Sequence, residues 1–223
     1  MKALIFDLDG TLLNTLDDIA DSMNSILVKH GLPPHPAQAY KVFVGDGVYN
    51  LLRRAAPGLD PSGSAFQLIA EEYSDEYLRR QADKTAPYPG IADLLTALSG
   101  LGIKIAVLSN KPHDATIKVI SHYFPDVCFD AIIGHRPGYP VKPDPGGVYE
   151  ILEILGLSGE DVLYLGDTAT DMQTAAAARL QSIGALWGFR DKAELAENGA
   201  VYFAECPQDV LLLCQQLLGN SPI

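Results

Sequence analysis

Short runs that are apolar at nearly every position alternate along this chain with longer stretches in which apolar residues return every three or four positions. KALIF (2–6), IKIAVLS (103–109), DAIIG (130–134), DVLYLG (161–166) and QSIGAL (181–186) show the first pattern, with a shorter run at AVYF (200–203). Runs this short and this continuous predict strands buried on both faces, as in a parallel sheet. The second pattern predicts helices. GIADLLTALSGLG sets Leu94, Leu95, Leu98 and Leu101 on one face and closes on Gly102, and PQDVLLLCQQLLG ends the series.

Residues 16–83 break the alternation, because no strand-like run stands there. LDDIADSMNSILVKHG puts Ile19, Met23, Ile26 and Leu27 on one face, and helical pieces follow in turn after Pro36, in VYNLLRRAA and in SAFQLIAEEYSDEYLRRQ. Gly31-Leu32-Pro33-Pro34 and Pro57-Gly58 separate them, and KTAPYPG (84–90) reads as the return link. The expected fold class is α/β: a Rossmann-like parallel sheet with helices on both faces over 1–15 and 84–223, plus an all-helical insertion over 16–83 after the first strand. No internal repeat or low-complexity tract interrupts it.

Charge narrows the partners. Lys+Arg 16 against Asp+Glu 28 gives −12, which argues against nucleic acid and against an anionic membrane surface. A small anionic substrate stays open, since a few fixed cations or a metal dominate locally. The three cysteines, Cys128, Cys206 and Cys214, have no CxxC spacing, which suits a reducing, cytoplasmic compartment. Asp7 and Asp9 interrupt the only early apolar run, so no signal peptide is expected. No stretch approaches the roughly 18 apolar residues of a membrane span. Oligomeric state is not encoded in these patterns.

The candidate chemistry collects where strands end, the place where open parallel sheets put their sites. The first strand runs into Asp7 and Asp9, which point the same way from an extended chain. The second ends in Ser109-Asn110, the fourth in Gly166-Asp167 with Asp171 four residues on, and PVKPDP between the third and fourth carries Lys142. Each has a plainer reading. Asp167 or Thr168 could cap the next helix, Ser109 could cap the helix that Pro112 begins, and Lys142 could be an exposed lysine. An EF-hand reading of DLDGT fails, because its sixth position is Leu12 and its twelfth is Asp18. The histidines lack zinc-ligand spacing, and Trp187 reads as packing.

Taken together these residues resemble the haloacid dehalogenase-like phosphohydrolases. The family's DxDGT stands here as Asp7-Leu8-Asp9-Gly10-Thr11, its strand-ending hydroxyl as Ser109, its lysine as Lys142 before Pro143, and its GDxxxD as Gly166 to Asp171. The insertion corresponds to the family's helical cap. The resemblance implies that Asp7 is the nucleophile, forming an aspartyl-phosphate, and that Asp9 is the general acid and then the base. It implies Mg²⁺ held by Asp7, the Asp9 backbone carbonyl, Asp167 and Asp171. Thr11, Ser109, the backbone around Asn110, and Lys142 would hold the phosphate.

An aspartate at position 9 separates this chain from the family's dehalogenase, ATPase and phosphonate-cleaving branches, and implies phosphate transfer or hydrolysis from oxygen. VGDGVYNLL (44–52) and ALWGF (185–189) look like the phosphoglycolate phosphatase group, so a small phosphorylated metabolite, 2-phosphoglycolate first, is the expected substrate. Lys41, Gly45, Gly47, Arg53, Arg54 and Lys111 are candidates for substrate specificity, with a solvated helix face as the alternative for the two arginines. Sugar phosphates, nucleotides and pyrophosphate remain alternative substrates, and a catalytically silent relative remains an alternative class. Asn14-Thr15, where many relatives carry an acidic or Ser-containing pair, leaves a sugar-phosphate mutase open as well.

Overall fold

The first apolar run becomes β1 (Ala3–Phe6), every residue of it fully buried, in a computed structural model that describes residues 1–219. The chain turns through 7–12, leaves as β2 (Leu13–Asn14) and returns as β3 (Ala86–Pro87), the two short strands running side by side. Between them lie α1 (Leu16–Lys29), α2 (Tyr40–Phe43), α3 (Gly47–Ala55) and α4 (Ser64–Arg80). After them come α5 (Ile91–Gly100), β4 (Lys104–Pro112), α6 (His113–Tyr123), β5 (Ala131–His135), α7 (Gly146–Leu155), β6 (Val162–Gly166), α8 (Ala169–Ala177), β7 (Gln181–Ala185), α9 (Lys192–Glu197), β8 (Tyr202–Ala204) and α10 (Pro207–Gly219). Two compact units result: Met1–Leu13 with the chain from Pro87 on, and Asn14–Ala86.

In the first unit six parallel strands lie in the order β5-β4-β1-β6-β7-β8. The alternation of side chains along β1 explains the layers. Leu4 and Phe6 join Leu94, Leu95 and Leu98 of α5, Val119 of α6 and Val210 of α10. Ala3 and Ile5 face the other way, onto Val148 and Ile151 of α7 and Ala175 of α8. Both faces are therefore covered, which is why the strands read as unbroken apolar runs. Helix α5 ends as its sequence suggests: Gly102 takes φ +71, and Ile103 N–H donates to Leu98 O at 3.0 Å, a Schellman turn that feeds β4.

The strand order reverses at β1, with β4 on one side and β6 on the other, a topological switch point. Phe6 is level with both Val107 and Leu165. The residues that follow all three strands consequently emerge at one edge. β4 runs three residues beyond the expected Ser109, because after a shift of register it pairs again, Pro112 with His135.

The helical unit has its own core. The predicted face of α1, Ile19, Met23, Ile26 and Leu27, is buried, as are Phe66, Ile69 and Tyr73 of α4. Asp18, 1% exposed, accepts from Lys84 N–H at 2.9 Å and from the Thr85 N–H and hydroxyl at 2.8 and 2.7 Å. The start of α1 is thereby tied to the returning chain. The helical piece expected after Pro36 is a 3₁₀ turn at Ala37–Ala39 followed by the single turn of α2.

Candidate active site

Asp7 continues β1, its N–H donating to Leu165 O at 2.9 Å, so the strand pairing itself fixes the direction of this buried carboxylate. Lys142 Nζ lies 2.7 Å from Asp7 Oδ1 and 2.6 Å from Asp171 Oδ1. The lysine comes from a loop, and Asn110 places it. The Asn110 amide accepts from Lys142 N–H at 2.8 Å and donates to Lys142 O at 3.1 Å, gripping that residue's backbone as a neighbouring strand would.

The start of α8 supplies Asp167 and Asp171. Thr168 and Asp171 form a capping box, in which Asp171 Oδ2 accepts from the Thr168 N–H and hydroxyl at 3.0 and 2.7 Å. Its other oxygen faces Lys142 and, at 3.2 Å, the Tyr164 hydroxyl. Asp167 is braced on both sides: Oδ1 accepts from Thr11 Oγ1 and Oδ2 from Phe189 N–H, each at 2.8 Å. Gly10 lies close beside it. At φ +93, a Cβ there would fall 2.2 Å from Asp167 Oδ2, so glycine is required both by the turn and by the close approach.

Asp7, Asp167 and Asp171 bring oxygens within 4.8 Å of one another, all three buried, the one such group of potential metal ligands among the described residues. Burial raises the Asp7 carboxyl well above its ordinary range, Asp171 adds to the rise, and Lys142 opposes it. Asp167 is pushed up to about 7, first by burial and then by Asp171, against the hydrogen bonds from Phe189 and Thr11. Burial works against the charge on Lys142, but Asp171 and Asp7 outweigh it and hold the ammonium. Three buried carboxylates against one ammonium leave an excess of two negative charges when all are ionised. Oxygen donors with that excess suit a hard divalent cation.

Asp9 points to a different partner. Both its oxygens contact Lys111 Nζ, one of them at 2.7 Å. Lys111, expected as a specificity residue, is here the counter-ion of Asp9. Ser109 is buried beside it, with its hydroxyl oxygen accepting from Lys111 N–H at 3.2 Å. Thr11, expected on the phosphate, gives its single O–H to Asp167 instead. A cavity of about 500 Å³ bordered by Arg136, Tyr139 and Tyr149 meets this group at Ser109, Asn110 and Lys142. None of the three carboxylates lines it.

Lys41, Gly45, Gly47 and Arg53 belong to the helical unit. Gly45 takes φ +128 in the turn between α2 and α3, and Gly47, the first residue of α3, takes φ +82; Lys41 lies on α2, and Arg53 is exposed on α3. Arg54 is engaged locally, donating to Phe43 O at 2.9 Å and pairing with Asp46.

Thr168, one of the two expected caps, is the N-cap of α8, and the structure also brings in side chains that sequence reasoning missed or took for packing: Tyr164, the amide of Asn110, and Trp187, whose Nε1–H donates to Thr11 O at 3.0 Å. Tyr164 sits inside an apolar strand, where nothing in the pattern marks its hydroxyl.

The haloacid dehalogenase-like hydrolase family matches residues 4–185. A phosphoglycolate phosphatase of Aquifex aeolicus is 33% identical over 189 residues, 85% of this chain and 86% of the relative. One from Pseudomonas syringae pv. tomato is 31% identical over 201 residues, 88% of this chain and 74% of the relative. The solved structure of a haloacid dehalogenase-like family hydrolase from Streptococcus pneumoniae superimposes with a TM-score of 0.87 at 25% identity, over 96% of this chain and 99% of that one. The matched span runs from β1 to the end of β7 and contains Asp7, Ser109, Lys142, Asp167 and Asp171, and the chain belongs to the haloacid dehalogenase-like hydrolase family.

Proposed function

We propose that this protein is a Mg²⁺-dependent phosphatase that hydrolyses a small phosphate monoester, with 2-phosphoglycolate as its substrate. The observation that carries the reaction class is the buried Asp7 carboxylate, aimed by β1 and held 2.7 Å from Lys142. The substrate rests on the names of the relatives. Asp7 attacks phosphorus, a new P–O bond forms to its carboxylate, and the bond to the leaving alkoxide breaks. Asp9 gives that oxygen a proton. It then takes one from the water that attacks the phosphorus, releasing orthophosphate and restoring Asp7.

Lys142 offsets charge on Asp7 and the transferring group, and the Ser109 hydroxyl with backbone N–H groups around Asn110 holds phosphate oxygens. Asp7, the Asp9 carbonyl, Asp167 and Asp171 would hold Mg²⁺, which would offset the excess negative charge and draw charge from the phosphoryl oxygens. Lys41, Gly45, Gly47 and Arg53 of the helical unit, with Lys111, are the proposed specificity residues. A reducing, cytoplasmic setting suits the free thiols of Cys128, Cys206 and Cys214. No helix among the described residues is long and apolar enough to cross a membrane.

The test is phosphate release from 2-phosphoglycolate, sugar phosphates, nucleoside monophosphates and pyrophosphate, in Mg²⁺ and in EDTA. Release led by 2-phosphoglycolate and abolished by EDTA is expected. Mg²⁺-dependent release led by another ester would overturn the substrate alone, and no release from any ester would overturn the activity.

A further inference from the structure

The three residues after β7 and Leu186 make contacts that packing alone does not require. Leu186 N–H donates to Ala204 O at 2.9 Å, so the segment leaves the sheet from a fixed point. Trp187 Nε1–H then donates to Thr11 O at 3.0 Å, although the two residues are 176 apart in sequence. Phe189 N–H donates to Asp167 Oδ2 at 2.8 Å. Between them Gly188 passes so close to Asp167 that a Cβ would fall 2.3 Å from the aspartate Cβ and 2.5 Å from Oδ2. Thr11 closes the circuit, giving its hydroxyl to Asp167 Oδ1 at 2.8 Å. A half-buried indole therefore holds the loop that holds one carboxylate oxygen, while the backbone two residues on holds the other.

We propose that Trp187-Gly188-Phe189 is a positioning strap for the metal ligand Asp167, with the Trp187 N–H as its adjustable link to the loop after β1. The inference rests on the proposal that Asp167 binds a divalent cation. An ionised carboxylate offers about four lone-pair sites. The two bonds from Thr11 and Phe189 fix its plane and leave a lone pair on each oxygen for a metal. Trp187 touches neither reacting atoms nor the carboxylate itself. Its effect passes through Thr11, so it is a positioning residue.

The experiment titrates Mn²⁺, a spectroscopic stand-in for Mg²⁺, into the full chain and follows free and bound ion by electron paramagnetic resonance. Two variants act on different parts of the strap. Trp187→Phe keeps an aromatic ring and removes the N–H. Gly188→Ala pushes a methyl against Asp167. Loss of bonds that orient a ligand weakens metal binding about 10- to 100-fold. Trp187→Phe is expected at the lower end and Gly188→Ala at the upper end, with an altered spectrum of the bound ion and unchanged far-ultraviolet circular dichroism. A role in packing alone would lower the melting temperature without moving the Mn²⁺ affinity or spectrum.

Wild-type Mn²⁺ affinity in folded Trp187→Phe would overturn the indole's part, and in both variants the whole strap. If either variant fails to fold, the other decides. Failure of the wild-type protein to bind Mn²⁺ would instead overturn the metal site, and the strap with it.

Discussion

Metal binding should depend on pH in a way set by the burial of Asp167. Its carboxyl, ordinarily at 3.8, is pushed up to about 7 by burial and by Asp171. A cation entering between these carboxylates must displace that proton. Competition between proton and metal at a group titrating near 7 lowers affinity about 30-fold at pH 5.5 relative to pH 8. A carboxyl at its ordinary value would change the affinity by less than about 5% over the same range. Asp7 is raised as well, which steepens the loss.

The sign for stability follows from linkage. A carboxyl raised in the folded state contributes stability that is fully present below the unfolded value of 3.8 and lost as pH rises through about 7. Each pH unit between the two values is worth about 1.4 kcal/mol, so about 4 kcal/mol is at stake for Asp167. In EDTA the wild-type melting temperature should accordingly fall by about 10 °C between pH 4 and pH 8 relative to that of Asp167→Asn, which lacks this titration. Saturating Mg²⁺ should reverse the loss. Isothermal titration of Mg²⁺ at pH 5.5 and pH 8, with melting curves of both proteins, measures these quantities. Equal Mg²⁺ affinities at the two pH values, or parallel melting profiles for the two proteins in EDTA, would refute the reasoning.

Four further substitutions address single contacts. Asp7→Asn should abolish turnover and the acid-stable phosphoenzyme seen on rapid quenching, because the nucleophilic carboxylate is gone; wild-type turnover would dismiss the assignment. Asp9→Asn should slow formation and breakdown of that intermediate by about 10²- to 10⁴-fold with Mg²⁺ affinity retained, since the backbone carbonyl is unchanged. Single-turnover kinetics that match wild type would count against it. Lys142→Met removes the one ammonium from among three buried carboxylates and should cost about 3–5 kcal/mol in denaturant unfolding without metal; an unchanged midpoint would contradict the charge argument. Asp18→Ala strips three donors at Lys84 and Thr85 of their acceptor and should destabilise the helical unit by about 3 kcal/mol. Hydrogen exchange at the Thr85 amide reads this directly, and wild-type protection there would disprove it.

Sequence pattern carried the sheet because its strands are buried on both faces. The runs that become β1, β5 and β6, the stretch of β4 from Ile105 to Leu108 and the end of β7 are apolar at nearly every position, and the helices between them keep a helical period and, at Gly102, a visible stop. Asp7 and Asp167 could be picked out because each follows its strand by one position, and Ser109 because it stands near the end of β4, whereas Asp9, Asp171 and Lys142 lie three, five and seven positions past a strand. The partnerships of these residues could not be picked out. Lys111 meets Asp9 across 102 residues, Asn110 grips Lys142 across 32, and Asp18 reaches Thr85 across 67. Bonds of this kind join loops that only the completed sheet brings together, and they leave no periodic trace in the chain.

The sequence also posed one choice that the structure dissolves. Asp167 or Thr168 could cap α8 or serve a site, and the two readings looked like rivals; Thr168 is the N-cap, and Asp171, the third residue of the helix, does both. A carboxylate has two oxygens with separate lone pairs. Asp171 gives Oδ2 to the capping box of α8 and Oδ1 to Lys142. The helix thus fixes the carboxylate while the carboxylate fixes the helix. Asp171→Ala would fray α8 and uncover Lys142 together, so loss of activity in that variant says nothing about which role failed. Thr168→Ala separates them, since it removes the hydroxyl from Asp171 Oδ2 and leaves the contact between Oδ1 and Lys142 in place. Folding and chemistry draw here on opposite sides of one side chain, which is why neither reading of the sequence was sufficient alone.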